Sequence, residues 1–388
     1  MRVSRVLRAF SSFLAAFAVL GTPAAAQTAN GDAVAEPFKL GTFEIGGRPA
    51  VGIVLRDRFV VELYAANAAL ELDPAYVEIP MPKDMLELIG RYEYGLKRRL
   101  YEIVDHVVEA GALDGPGRPA YVHDAERLRT LPPIMYPGKI LNAAVNFYSH
   151  VNETGTPEEI AEARRQRREN RGVPYLFLKP SRGAVIGHGD PVKIPYGRDR
   201  IDWEVELATV IGRPAKYVSA TDAEDYIFGY MISLDISDRG GRPPGGAPFG
   251  VDWFVGKGHD TFAPQGPWIV PKEFYGDPME RLHQTLTVDG VLMQEARAGD
   301  MIHSLYELIE YASSIITLFP GDVINNGTSG GVGMGTAVRG EQRFLRPGEV
   351  ITATIEGIGT LRVPVVGEEP PPEGTGSRLP PVESYLQQ

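Results

Sequence analysis

Residues 175–365 constrain the fold most, because they form a series of short apolar and β-branched runs separated by glycine and proline. Such runs between turn residues are typical of β-strands. One segment departs from this pattern. Ser304 and Glu307 form a capping box, and apolar residues then recur at helical spacing until Pro320. The sequence therefore predicts an α+β protein that is mostly β, with one clear helix inside the strand-rich part.

The preceding part of the chain mixes both kinds of element. Short β-type runs fill residues 38–64, and apolar residues at three- and four-residue steps predict a helix at 94–108, with Gly111 just past its end. A proline pair at 132–133 marks a boundary. We therefore predict a small α/β N-terminal domain at 38–133 and a second domain at 134–366. In the second domain, Thr156, Pro157 and Glu159 begin a helix that extends to about residue 170.

The two ends of the chain do not look like folded domain. Residues 1–26 combine a basic start, an apolar run at 9–20 and three small residues that end at Ala26, which is the pattern of a secretory signal. The alternative is an N-terminal membrane anchor, but an anchor needs about 20 apolar residues. We expect cleavage near Ala26, a periplasmic or secreted protein, and no stable membrane anchor. Residues 27–37 are predicted to be a linker, and 367–388 a Pro-rich disordered tail.

Charge and cysteine content exclude several classes of function. The chain carries 39 basic and 50 acidic residues, a net charge of −11, and removing residues 1–26 takes away three arginines and leaves −14. We therefore expect no nucleic-acid partner. Four arginines at 164, 165, 167 and 168 fit a solvated helix face better than a nucleic-acid patch. With no cysteine, the chain has no disulfide, thiolate metal ligand or cysteine nucleophile.

Three acidic residues form the strongest candidate site. Glu204 and Glu206 lie two apart in a run that reads as a strand, so both side chains point to one face. Asp235 ends an unbroken apolar run at 226–234, a strand predicted to be buried on both faces. Crowded carboxylates of this kind suit a hard divalent cation. The alternative for the glutamates is a solvent-facing strand. The alternatives for Asp235 are an Asp–Arg pair or a turn aspartate that caps backbone amides.

Further polar residues have the right types for catalysis and substrate binding. His150 and Glu153 are three apart, so on a helical turn the carboxylate could hold the imidazole as a general base. Lys257 lies between two glycines and could bind a carboxylate. A glycine-rich loop at 327–331 could hold an anion on free N–H groups. The same loop fits G-x-S-x-G, so a serine hydrolase using Ser329 is an alternative, although no helix is predicted after it.

Taken together, these segments resemble the fumarylacetoacetate hydrolase family over residues 139–366. The segments that carry the resemblance are Lys139 to Glu153 with its His-x-x-Glu, Phe177-Leu178-Lys179-Pro180-Ser181, Asp202-Trp203-Glu204-Val205-Glu206, Asp235-Ile236-Ser237-Asp238-Arg239, Gly256-Lys257 with Gly266-Pro267-Trp268, and Pro320-Gly321-Asp322-Val323-Ile324 with Gly327-Thr328. The resemblance implies a mixed β-sandwich roll, a homodimer, and Mg²⁺ (or Mn²⁺) on Glu204, Glu206 and Asp235.

The same resemblance implies an activity and roles for the other residues. His150 and Glu153 would activate water, and Lys257, Thr328 and Gly327, with Arg239 nearby, would bind the acid end of a small oxo-acid substrate. The expected reaction is hydrolysis of a C–C bond in a 2-oxo or 1,3-diketo acid similar to an acylpyruvate. A decarboxylase, isomerase or lyase on the same scaffold is an alternative, as is a binding protein without catalysis.

Overall fold

A computed structural model describes residue 34 and residues 36–153, 155–241, 252–340 and 342–373, with no account of the side chains of 337–339. The predicted signal peptide, most of the predicted linker and the tail beyond residue 373 lie outside these ranges. Within them, no helix is both long enough and apolar enough to cross a membrane.

The strand-rich parts of the sequence form two packed β-sheets and a short two-stranded ribbon. In chain order the strands are β1 (Lys39–Ile45), β2 (Arg48–Leu55), β3 (Phe59–Glu62), β4 (Val122–Asp124), β5 (Arg129–Leu131), β6 (Ile140–Ala143), β7 (Leu176–Lys179), β8 (Val185–Ile186), β9 (Val192–Ile194), β10 (Ile201–Asp202), β11 (Val205–Ile211), β12 (Ile227–Leu234), β13 (Ser237–Asp238), β14 (Ala263–Pro271), β15 (His283–Val288), β16 (Val291–Arg297), β17 (Val323–Asn325), β18 (Val350–Ile355) and β19 (Gly359–Gly367).

The larger sheet runs through the whole described molecule. Its order is β4-β3-β2-β1-β14-β12-β11-β17-β6-β7, with β5 beside β1 and β8 beside β14. It is mixed, because β6 lies parallel to β17 and β8 parallel to β14, whereas β11 and β12 are antiparallel. Every residue of β12 is buried, so the prediction of a strand covered on both faces is confirmed.

A second sheet completes the sandwich. Its order is β16-β15-β18-β19-β9, and β10 pairs with β13 in a separate ribbon. The core between the two sheets includes Val205, Leu207 and Ile232 from the larger sheet and Leu286 and Ile351 from the smaller one, all fully buried. The predicted α+β fold that is mostly β, a mixed β-sandwich, is confirmed.

The helices within the described residues surround these sheets. They are α1 (Leu63–Leu70), α2 (Met85–Arg91), α3 (Lys97–Glu109), α4 (Pro157–Glu169), α5 (Trp253–Lys257), α6 (Lys272–Tyr275), α7 (Pro278–Arg281) and α8 (Leu305–Ile315). Both predicted capping boxes are present, at Thr156 and Ser304. Helix α3 begins later than predicted, because Gly95 adopts φ 108° and the segment before α3 winds as a π-helix.

The N-terminal elements are joined to the rest by both backbone and core. Strand β1 pairs with β14 at Leu40 and Ile269, so the N-terminal strands extend the larger sheet. The helices of this part pack with residues of the central strands, including Met231 and Val323, in one hydrophobic cluster. The predicted division at residue 133 stays a prediction.

Candidate active site

The three predicted acidic ligands converge where β11 and β12 meet. Val205 opposes Leu234 in the antiparallel register, and the backbone N–H of Asp235 donates to the carbonyl of Glu204 at 2.9 Å. The pairing therefore places Glu204 and Asp235 side by side. Each of the three residues has a carboxylate oxygen within 4.8 Å of the others, and all three are buried.

The strand that carries the two glutamates is shorter than predicted. Strand β11 begins at Val205, so Glu204 lies just before it, and residues 201–202 pair with β13 instead. The predicted strand is interrupted after Asp202, where the Asp202 carboxylate accepts the backbone N–H of Trp203 at 2.8 Å. Asp202 and Glu204 both accept hydrogen bonds from Arg239, whose Nε is 3.1 Å from the carboxylate of Asp202.

The donor set fits a hard divalent cation. All three groups offer carboxylate oxygen, the ligand that Mg²⁺ and Mn²⁺ prefer, and burial excludes the water that would otherwise solvate the charges. The carboxylates can therefore hold a divalent metal. One oxygen from each of the three carboxylates leaves further positions of an octahedral ion for substrate or water.

Internal cations neutralise these acids in the structure. The ammonium of Lys257 lies 2.9 Å from Glu204, 2.6 Å from Asp235 and 2.7 Å from the hydroxyl of Ser237. Lys179, fully buried, donates to the carboxylate of Asp235 and, at 2.9 Å, to the carbonyl of Ile236. The predicted alternative of an Asp–Arg pair at Asp235 is therefore wrong, because its partners are lysines.

The pKa values of the two glutamates are shifted in opposite directions. Burial raises the pKa of Glu206 well above its ordinary value, and the negative charges of Asp235 and Glu204 raise it further. Burial also acts to raise the pKa of Glu204, but the positive charges of Lys257 and Arg239 outweigh it and lower that pKa. Carboxylates this close resist ionising together unless a positive charge is added. A divalent ion is such a charge.

The predicted His–Glu pair forms beside the acids. Residues Tyr148–His150 make one 3₁₀ turn, and the Nδ1 atom of His150 contacts the carboxylate of Glu153. The second oxygen of Glu153 accepts the N–H of Gly331 at 2.7 Å. The pair is therefore fixed in orientation against the glycine-rich loop, in which Gly327 binds Glu206.

Three of the N–H groups of the glycine-rich loop, which the sequence predicts to be free for an anion, are already engaged in the structure. The amide of Gly327 donates to Glu206 at 3.3 Å, and that of Gly330 to the Ser149 hydroxyl at 2.9 Å. With the Gly331 bond to Glu153, three loop amides are engaged by side chains distant in sequence. The Thr328 hydroxyl likewise donates to the carbonyl of Val205 at 3.0 Å. Gly327 and Thr328 hold the start of β11, and their contact with substrate stays a prediction.

Two residues of the site were not predicted as functional. Lys179 and Asp202 occur in the segments that carry the family resemblance, but no role followed for them from spacing. Their burial was the missing signal, because both are almost fully buried and ionisable. Asp202 accepts the backbone N–H of Gly333 at 2.5 Å and so ties the loop after the glycines to the site.

The serine hydrolase alternative lacks support. The hydroxyl of Ser329 is buried and has no hydrogen-bond partner among the described residues, so no base faces it there. A nucleophilic serine needs an adjacent base. The imidazole of His150 is bound to Glu153.

Comparison with known proteins gives a consistent set of relatives. The model of the fumarylacetoacetate (FAA) hydrolase C-terminal family matches residues 139–366. An uncharacterised protein of Pyrococcus abyssi is 43% identical over 235 residues, 60% of this chain and 92% of that protein. The 2,4-didehydro-3-deoxy-L-rhamnonate hydrolase of a Sphingomonas species is 35% identical over 230 residues, 59% of this chain and 74% of that protein.

A solved structure extends the likeness to most of the chain. The crystal structure of maleylpyruvate hydrolase from Sphingobium sp. SYK-6, in complex with a manganese(II) ion and pyruvate, is 28% identical with a TM-score of 0.62. It covers 85% of this chain and 100% of its own.

Proposed function

Because this chain belongs to the fumarylacetoacetate hydrolase family, we propose that it is a divalent-metal-dependent hydrolase that cleaves a C–C bond in a small 2-oxo or 1,3-diketo acid. Two relatives named as hydrolases of maleylpyruvate and of a didehydro-deoxy sugar acid support an acylpyruvate-like substrate. The single observation that carries the proposal is the convergence of three buried carboxylates on one point.

Glu204, Glu206 and Asp235 hold the ion, which we propose to be Mg²⁺ or Mn²⁺. Mn²⁺ is supported by the manganese complex of the maleylpyruvate hydrolase. Such an ion, held by these residues, would polarise the substrate carbonyl and supply positive charge for the electron pair left when the C–C bond breaks. Lys257 and Arg239 add positive charge at the same place, which attracts the acid end of the substrate.

The His150–Glu153 pair would act as the general base that activates water. Glu153 holds the Nδ1 atom, so the Nε2 atom is available to take a proton from water. The water oxygen then bonds to the acyl carbon, the adjacent C–C bond breaks, and its electron pair stays on the oxo-acid fragment. That fragment takes up a proton, and the products are two acids.

A substrate screen with a matched pair of variants tests the proposal. The full chain is incubated with a panel of 2-oxo and 2,4-dioxo acids and Mg²⁺ or Mn²⁺, and products are identified by mass. We expect cleavage with addition of water, lost in Glu204→Gln because a neutral amide cannot replace a ligand charge. The control Glu126→Gln changes an exposed carboxylate and keeps full activity.

The outcomes separate this proposal from its alternatives. Loss of carbon dioxide would indicate a decarboxylase, an unchanged mass with a changed spectrum an isomerase, and cleavage without added water a lyase. Near-normal activity of a folded Glu204→Gln protein would refute the metal site.

A further inference from the structure

A row of buried polar side chains crosses the larger sheet beside the acidic residues. We name Asn142, Ser233, Gln265 and Asn325 the amide floor. Ser233 opposes Glu206 in the β11–β12 register and opposes Gln265 in the β12–β14 register. Directly opposed residues share a face with their Cβ atoms about 5 Å apart. The floor therefore begins next to one of the three proposed metal ligands.

The other two residues of the amide floor, Asn325 and Asn142, are also connected to the candidate site. Asn325 of β17 aligns with Asn142 of β6, and its Nδ2 atom donates to the hydroxyl of Ser233 at 3.0 Å. Asn142 opposes Phe177 of β7, and the ammonium of Lys257 lies 5.2 Å from the centre of the Phe177 ring. The floor is thus bordered by Glu206 at one side and by Phe177 and Lys257 at another.

The floor has unmet hydrogen-bonding capacity. Both amide atoms of Asn142, both of Gln265 and the Oδ1 atom of Asn325 have no partner among the described residues, although these side chains are at most 1% exposed. Buried polar groups in folded proteins are nearly always paired, since an unpaired one costs the full desolvation penalty. Five such atoms on one face, next to a reaction centre, indicate a polar ligand.

We propose that the amide floor is a specificity site that binds the hydroxyl groups of the substrate, which makes the preferred substrate a hydroxylated oxo acid rather than an apolar one. This inference rests on the proposed function, because it concerns the substrate of the same site. In this arrangement the oxo-acid end of the substrate would bind the ion that the three acids hold, and the remainder of its chain would extend over the floor.

The chemistry of the floor selects hydroxyl groups over the other candidates. A hydroxyl both donates and accepts, so it can satisfy the N–H₂ and the C=O of one amide. A second carboxylate only accepts, which would leave the amide oxygens of Asn142, Gln265 and Asn325 unpaired. An alkyl or aromatic tail would leave every one of these atoms unpaired. A polar site discriminates most strongly against a ligand that leaves its buried polar groups unpaired.

A matched pair of substrates tests the inference. The probes are 2,4-dioxohexanoate and its 5,6-dihydroxy derivative, measured with the full chain at saturating Mg²⁺ or Mn²⁺. We expect kcat/KM to be about ten- to a hundredfold higher for the dihydroxy acid. In Asn142→Leu and Gln265→Leu this ratio falls at least about tenfold, because activity on the dihydroxy acid drops further than activity on the unsubstituted acid.

The control is Thr209→Val, which lies on β11 on the face opposite to Glu206. The Thr209 hydroxyl is also buried and has no hydrogen-bond partner within the part of the chain that the structure describes, so its loss tests the generic effect of removing such a group. We expect the substrate ratio to stay unchanged. An equal change in the control variant, or folded floor variants with the wild-type ratio, would overturn the inference. Should the floor variants fail to fold, a wild-type preference for the unsubstituted acid overturns it equally.

Failure of the proposed function gives a different result. If neither acid is cleaved, the dissociation constants of both are measured by calorimetry on the wild-type protein with metal present. Tighter binding of the dihydroxy acid then supports the floor while the hydrolase proposal fails. Equal binding of the two acids, or no binding of either, overturns the inference.

Discussion

Each buried acid of the site depends on a specific cation. Moving a carboxylate from water into a protein interior costs several kcal/mol even after relaxation. Lys179 and Lys257 offset that cost at Asp235, and Lys257 and Arg239 do so at Glu204. Glu206 has no ion pair among the described residues and keeps a raised pKa. Of the three acids, Glu206 is therefore the one whose charge depends most on an added ion.

At this scale the roles of His150 and the acids can be separated. We predict that His150→Ala lowers kcat by about 10²–10⁴-fold, the usual contribution of a general base, because water loses its proton acceptor. Metal affinity should stay unchanged, because the imidazole contacts Glu153 and not the three acids. Turnover assays and metal titration by calorimetry check both parts.

The control for this experiment is His106→Ala, which removes an exposed imidazole from α3. It should change neither quantity. A His150→Ala protein that no longer binds metal would show that the proposed division of roles is wrong.

At the scale of elements, helix α4 fixes the turn that carries His150. Arg164 donates to the carbonyl of Ser149 at 2.6 Å, and the N–H of Ser149 donates to Asp300 at 3.1 Å. Just beyond the helix, Arg171 donates to both carboxylate oxygens of Glu307 on α8 at 2.7 Å. The turn that bears the proposed base is thus bound by a side chain from the middle of α4, and the segment after the C-terminus of α4 is bound to α8.

We predict that Arg164→Met lowers kcat about tenfold or more with a smaller effect on KM. The variant keeps the apolar stem but loses the donor, so the His150 turn is less well placed, and small misplacements of catalytic groups cost up to about 10²-fold. Arg164→Lys, which keeps one charged donor, should recover part of the loss. Steady-state kinetics of both variants provide the measurement.

Arg165→Met is the matched control, because Arg165 lies on the same helix but is 66% exposed and pairs only with Glu162 and Glu169 in the described structure. It should retain wild-type kinetics. If Arg164→Met raised KM alone, the residue would contact substrate rather than position the turn.

Elements with local signals were predictable, and contacts between distant segments were not. The helices at Thr156 and Ser304 followed from capping boxes, and β12 from its apolar run, since each signal lies within a few residues. The grouping of Glu204, Glu206 and Asp235 was predictable because strand spacing and family resemblance agreed. The partners of the loop amides were not, since Gly331 and Glu153 are 178 positions apart and only the tertiary fold joins them.

At the scale of the whole molecule, the N-terminal elements and the central strands share one hydrophobic core. Leu100 and Val104 of α3 lie in the same buried cluster as Phe228 and Met231 of β12. Glu273 of α6 adds polar contacts, since it accepts the hydroxyl of Tyr92 at 2.7 Å and that of Tyr101 at 3.1 Å. Removal of either the N-terminal elements or the central strands would therefore expose apolar surface on the other.

We therefore predict a single cooperative unfolding transition for the chain. Calorimetry should give one peak whose van't Hoff enthalpy equals the calorimetric enthalpy. A chain without residues 38–133 should be insoluble or bind a hydrophobic dye, because the covered face of the central strands becomes exposed. Two resolved transitions would instead show that the predicted domains unfold independently.

Export, a periplasmic or secreted location and a homodimer stay predictions at this scale. Amino-terminal sequencing of the mature protein checks cleavage near Ala26, and light scattering checks the homodimer. The acidic net charge of −14 expected after cleavage, 36 basic against 50 acidic residues, suits a soluble small-molecule enzyme more than a nucleic-acid binder.

Because lysines and an arginine lie against the acids, we expect folding of the chain and its activation by a metal ion to be separate events. Because two of the three acids already have cationic partners, we expect the polypeptide to fold without a bound ion. A shortage of the proposed divalent metal should then leave a folded but inactive protein instead of an unfolded one.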